Sequence, residues 1–186
     1  MRPQKFIAKT SILTLTLFVM LARVGKASAM DQASIDNVQA AMRTLSFLQS
    51  LSKDGPIVVG VVYSSDTSNA QVAAEATAQL IGTLQGPNSR ALQPQLISTS
   101  ELSQFQGHLD VLFLMVGASN HSAVILDCVR RHHLVSLSDD PLCVKTQCCV
   151  ITVGAGPRVE ISLNTALADA VGARFSLVFT MVVKRK

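Results

Sequence analysis

The chain has 186 residues, 48% of them apolar, with no Trp and one Tyr, so a single core of Val, Leu, Ile and Ala can be filled without a second domain. Only 15% of the residues are charged, and no segment joins low hydrophobicity to high charge, which excludes a disordered chain. The formal charge of +4 would suit a nucleic-acid or anionic-membrane partner, but that suggestion depends on the first 29 residues.

Arg2, Lys5 and Lys9 precede an uncharged apolar run from Ile12 to Ala22, followed by Ala27-Ser28-Ala29. A basic region, an apolar region and an A-x-A site in that order predict a cleaved export signal over residues 1–29 and a mature domain over 30–186. Eleven residues closed off by Arg23 fall short of the roughly 20 that span a bilayer. Removal of the signal takes five of the sixteen basic residues and none of the twelve acidic ones, leaving eleven against twelve and a net charge of −1. Nucleic acid is therefore not an expected partner, the expected compartment is the periplasm, and Lys184-Arg185-Lys186 reads as a solvated tail.

In the mature chain Ser34 is placed to cap a helix whose apolar positions Ile35, Val38, Ala41, Met42, Leu45, Leu48 and Leu51 follow a 3.6-residue period. Ile57 to Tyr63 is a continuous, β-branched run, as in a strand buried on both faces of a parallel sheet. A polar loop, Ser64 to Asn69, leads to a helix over Ala70 to Leu84 that Gly86-Pro87 ends. A short extended segment over Gln95 to Ser98 follows, with Ser100 as the cap of a brief turn through Phe105. The rhythm repeats with a strand over Val111 to Val116, a loop at Gly117-Ala118-Ser119-Asn120, a helix from His121 to Arg131 and a strand over Leu134 to Leu137. Val150 to Val153 and Val159 to Leu163 flank Gly154-Ala155-Gly156-Pro157-Arg158 and predict two strands joined by a turn. Asn164 is the expected cap of a short helix through Ala170, and Phe175 to Val183 is a helix or a strand. The fold class is α/β: a single small domain, mostly parallel sheet flanked by helices, with a C-terminal antiparallel hairpin.

Cys128, Cys143, Cys148 and Cys149 form an even set in an exported chain, so oxidised pairs are expected. A bridge between the adjacent Cys148 and Cys149 would strain the peptide, which favours Cys143 with Cys148 or Cys149 and the remaining neighbour with Cys128. The spacing lacks the paired C-x-x-C knuckles of a zinc site, and the cluster reads as loop rather than the helix N-terminus that thiol catalysis wants. No metal and no cofactor are expected.

An enzyme needs a nucleophile, base or metal set, and the candidates are few. His108 and His121 read as surface residues, while His132-His133 with Arg130-Arg131 complements a helix C-terminus. Asp139-Asp140 before Pro141 is explained by turn chemistry, and Gly154-Ala155-Gly156 lacks the third glycine of a dinucleotide loop. The chain is thus not expected to be an enzyme. Ligands of open α/β sheets sit beyond the C-terminal ends of the parallel strands, so Ser65, Asp66, Ser119, Asn120 and Asp139 form a possible ligand rim, unless they serve only as caps and turn formers.

Asp110-Val111-Leu112-Phe113-Leu114, Leu134-Val135-Ser136-Leu137-Ser138-Asp139 and Asp140-Pro141-Leu142-Cys143, with Val159-Glu160-Ile161-Ser162-Leu163-Asn164, resemble the YfiR-like periplasmic family. The stretch from Glu160 through Asn164 to Arg174-Phe175-Ser176 is similar to that family's F-E-I-N-L strand, its short helix and the G-L-R-(I/F)-S that follows. Unlike the family's first helix, which carries aromatics and ends in Trp-Pro, this chain has no Trp, and its cysteine doublet is unusual. The resemblance implies a non-enzymatic regulator that binds and represses an inner-membrane diguanylate cyclase through its periplasmic domain, tuned by disulfides and present as a homodimer. The alternative is a small-ligand-binding module resembling one lobe of a periplasmic solute-binding protein.

Overall fold

A computed structural model describes residues 32–155 and 159–185; the expected export signal and the tip of the hairpin at 156–158 lie outside the described residues. Seven strands run β1 (Ile57–Tyr63), β2 (Leu92–Ser98), β3 (Val111–Leu114), β4 (Val135–Ser138), β5 (Ile151–Ala155), β6 (Val159–Leu163) and β7 (Lys184–Arg185). Six helices alternate with or follow them: α1 (Gln32–Thr44), α2 (Ala70–Thr83), α3 (Ser122–Arg131), α4 (Pro141–Thr146), α5 (Thr165–Ala170) and α6 (Leu177–Val182).

The strands lie in one sheet in the order β2-β1-β3-β4-β5-β6-β7. All neighbours are parallel except β5 and β6, whose antiparallel register pairs Ile151 with Leu163 and Ala155 with Val159. This is the mostly parallel sheet with a late antiparallel pair that the alternation predicts. Val59, Val61 and Val62 of β1 and all of Val111–Leu114 are fully buried, as a strand covered on both faces requires. The connection from β1 runs outward to β2 and that from β3 runs the other way to β4, so right-handed crossovers put α2 and α3 on opposite faces. α2 packs on β1 and β2, while α1 packs against α2 and over β5.

Several boundaries differ from the sequence reading, each for a local reason. The first helix stops at Thr44 rather than near Leu51: the Thr44 hydroxyl bonds Ala41 O at 2.6 Å, a short 3-10 turn follows, and Gln49 N donates to Arg174 O at 2.7 Å. Leu45 and Leu48 keep the apolar period because they stay on the core, not because the helix continues. The segment expected at Gln95–Ser98 extends back to Leu92 as a full edge strand, which tolerates Pro94 because no outer neighbour needs its amide. The turn after it has Glu101 at its N-cap and no side-chain cap, so Ser100 does not serve as one. The Glu101 carboxylate accepts from both Ser98 N and Ser98 Oγ at 2.8 Å, and the Glu101 amide donates to Ser98 O. Phe175 to Val183 resolves as α6, with Ser176 Oγ accepting from Phe179 N, and Asn164 caps α5 as expected by accepting from Leu167 N at 3.0 Å.

The largest departure is α4. The stretch around Cys143 is a helix, with Asp140 at its N-cap, Pro141 at the first position and Gln147 in the left-handed region (φ 54) at its end. Asp140 and Pro141 announce that start in the sequence, where they read as a turn.

Candidate functional site

Because β2 and β3 flank β1, the crossovers depart in opposite directions between β1 and β3, and the loops leaving these two strands part to leave a crevice. The β1 loop carries Ser64, Ser65 and Asp66, and the β3 loop carries Ser119, Asn120 and His121. His121 joins them, with Nε2 3.1 Å from Asp66 Oδ2 and 3.4 Å from Ser64 Oγ. On the other side Ser65 is held by Thr99 after β2: Ser65 N donates to Thr99 Oγ1 at 3.2 Å, and Ser65 Oγ donates to Asp66 Oδ1 at 3.1 Å.

The third loop is fastened by Asp140. Its buried carboxylate accepts from Gly117 N at 3.0 Å, from Ser119 Oγ and from Leu142 N at 2.9 Å, while its own amide donates to Ser138 Oγ. Gly117 makes this reach with φ 88, a conformation that favours glycine. One carboxylate therefore caps α4 and pins the β3 loop at once.

Of the five residues expected at the rim, Ser65, Asp66 and Asn120 are exposed at the crevice. Ser119 is not on the rim: it is 1% exposed and its hydroxyl points inward to Asp140. Asp139 is half-buried beside Asp140. His121, read in the sequence as an ordinary surface residue, is the residue that brings the two loops together; nothing in its neighbours marks it, because Asp66 is 55 residues away. Ser64, His121 and Asp66 do not form a hydrolytic relay. A triad needs serine and carboxylate on opposite ring nitrogens, whereas here both meet the same Nε2. The group offers a hydroxyl, a carboxylate and an imidazole for hydrogen bonding, and an ion pair when His121 is protonated.

Three of the four cysteines gather at the β4–β5 edge. Cys143 Sγ lies 2.6 Å from Cys148 Sγ and lines one cleft with Cys149, while Cys128 sits separately on α3, where burial pushes its thiol up. The structure thus puts Cys143 beside Cys148 and on one cleft with Cys149, the two partners left open by the sequence, while Cys128 stands apart on α3. Sulfurs this close cannot share a zinc ion, whose tetrahedral bonds of about 2.3 Å hold its ligands well apart. The hydrogen bond from Cys143 holds the Cys148 thiol down, at about 4, and the same contact pushes Cys143 up. Cys149, although its contact with Cys143 lowers it, is raised on balance to about 12 by Cys148 and burial. A cleft of about 130 Å³ opens onto Cys143, Cys149, Thr152 and Asn164. A larger one of about 390 Å³, lined by Leu48, Ser50, Asp110, His132 and Leu134, lies at the opposite, N-terminal end of the strands.

No helix among the described residues is long and apolar enough to cross a membrane. No family model matches the chain, and no curated protein does. Among solved structures, a conserved domain protein from Vibrio cholerae is similar at a TM-score of 0.58 with 10% identity, over 82% of this chain and 60% of that one. An ABC domain in complex with L-Trp from Streptococcus pneumonia gives 0.57 and 8% over the same shares, 82% and 60%. A ligand-free, open substrate-binding protein with adhesive properties from Clostridium difficile gives 0.48 and 13% over 70% and 54%. The chain spans little more than half the length of these proteins. At such identities the likeness is one of fold alone.

Proposed function

We propose that this chain is a binding module built like one lobe of a solute-binding protein, and that it holds a small polar ligand at the crevice between the β1 and β3 loops. The observation that carries this reading is the position of Ser65, Asp66, Asn120 and His121. They stand at the point where the strand order reverses, the place where open α/β sheets receive ligands. The fold shared with the solved domains supports it, one of which holds L-Trp. The rim's hydroxyls, carboxylate and imidazole suit a ligand carrying both donor and acceptor groups, such as a free amino acid. Calorimetric titration of the purified protein with a panel of amino acids, sugars and small anions tests this. At least one compound is expected to bind, and Asp66→Ala or His121→Ala to weaken it at least tenfold; binding that both variants leave intact would place the ligand elsewhere.

A second reading follows the YfiR-like resemblance: an envelope regulator that represses a membrane diguanylate cyclase by protein contact. What favours it is the last helix, where Leu177, Val178, Met181 and Val182 are all exposed. Its test is cellular cyclic-di-GMP with and without the gene, which on this reading rises on deletion.

A further inference from the structure

We propose that Cys143, Cys148 and Cys149 form one thiol–disulfide exchange site, in which Cys143 is the shared partner that bonds to either neighbour while the other is left as a thiol. The geometry comes from α4 and the residue that ends it. Cys143 stands on the helix, and the left-handed turn at Gln147 brings the chain straight back, with Cys148 N donating to Cys143 O at 3.3 Å. The sulfur of Cys148 then lies 2.6 Å from that of Cys143, and Cys149 lines the same cleft as Cys143. Each neighbour also has its own hydroxyl: Thr146 Oγ1 donates to Cys148 Sγ at 3.3 Å, and Thr152 Oγ1 is 3.4 Å from Cys149 Sγ. A departing thiolate is thus met by a hydrogen-bond donor on either side, which is what a reversible exchange requires of its two leaving groups.

The first bond is made by a small disulfide oxidant. The Cys149 thiolate, at the cleft, attacks it, one of its sulfurs leaves as a thiol, and Cys143 resolves the mixed disulfide, releasing the second thiol and giving Cys143–Cys149. In the exchange, Cys148, as its thiolate, attacks Cys143 Sγ; the Cys143–Cys148 bond forms, the Cys143–Cys149 bond breaks, and Cys149 leaves as the thiolate. No electrons are gained or lost in that second step. Its consequence is positional, because Cys149 lines the open cleft and Cys148 does not. The bonding pattern therefore decides whether the remaining thiol faces a small reagent or the protein interior.

Thiols counted in denaturant after equilibration with oxidised glutathione test the site. Wild type is expected to retain two free thiols, Cys148→Ser and Cys149→Ser one each (Cys128), and Cys143→Ser three. Three free thiols in either neighbour variant, with a wild-type circular dichroism spectrum, would mean that only one bond can form and would overturn the proposal. So would one free thiol in Cys143→Ser. In the wild type, fragmentation mass spectrometry is expected to find both Cys143–Cys148 and Cys143–Cys149 linkages; a single linkage at equilibrium would overturn the exchange.

Discussion

Asp140 shows how much one side chain can hold. Its carboxylate is 1% exposed and accepts from Gly117, Ser119 and Leu142, so its removal strands two backbone amides and a hydroxyl in a water-poor site. Asp140→Ala is expected to cost about 3–5 kcal/mol in chemical denaturation, since stranding several partners of a buried charge costs more than a lone bond. Glu101 is a milder case. The Ser98 amide, and then the Ser98 hydroxyl, hold its carboxyl below the ordinary value of 4.5, so its contribution is present above that pH and fades as acid protonates the folded form. Glu101→Gln should therefore melt lower than wild type at pH 7, and the gap should close as the pH falls below 4.5. At this scale the sequence was legible in part: Ser65, Asp66 and Asn120 stand where strand-end logic put them, whereas Ser119 turned inward. His121 went unseen because its partner lies on a different loop, and a contact between distant segments leaves no local pattern.

At the scale of elements, hydrophobic period and turn chemistry located β1, β3, β6 and α5 closely, because their signals are continuous apolar runs or a clear capping residue. They failed at α4, where six residues are too few to show a period and only Asp140-Pro141 marks the start. They failed also at the end of α1, where pairing with the Arg174 backbone overrides a pattern that the sequence continues to Leu51. The glycine in the middle of β1 has an element-scale reason. A Cβ at Gly60 would stand 2.7 Å from Leu112 Cδ2, 3.1 Å from Ile97 Cδ1 and 3.2 Å from Leu109 Cδ1. These three side chains, Leu109 and Leu112 from the stretch around β3 and Ile97 from β2, are all buried in the core and cannot all retreat at once. Gly60→Ala is accordingly expected to destabilise by about 1–3 kcal/mol through overpacking, read as a lower thermal midpoint. A higher midpoint would mean that the gain from a stiffer unfolded chain outweighs the crowding at this position.

Across the whole molecule, the C-terminal segment is both anchored and displayed. Phe179 is buried and stacks between Phe47, at 5.1 Å, and Phe175, at 5.2 Å, which ties α6 to the turn after α1. The remaining apolar residues of the helix face outward, Leu177 at 81% and Met181 at 80% exposure. Apolar groups that the fold leaves in water contribute nothing to its stability, so their replacement separates folding from contact. Phe179→Ala is expected to cost about 3–4 kcal/mol, as loss of a buried aromatic ring does. The double variant Leu177→Ser/Met181→Ser should melt within about 0.5 kcal/mol of wild type. On the reading of this chain as a protein-contact regulator, that same double variant should lose its association with a second copy or with the cyclase's periplasmic domain in sedimentation velocity. If the double variant associates as the wild type does, α6 is not the contact face and the regulator reading loses its structural support. If it loses association and still binds the small ligand at Asp66 and His121, the two ends of the molecule serve separate roles, because α6 and the β1–β3 crevice share no residue.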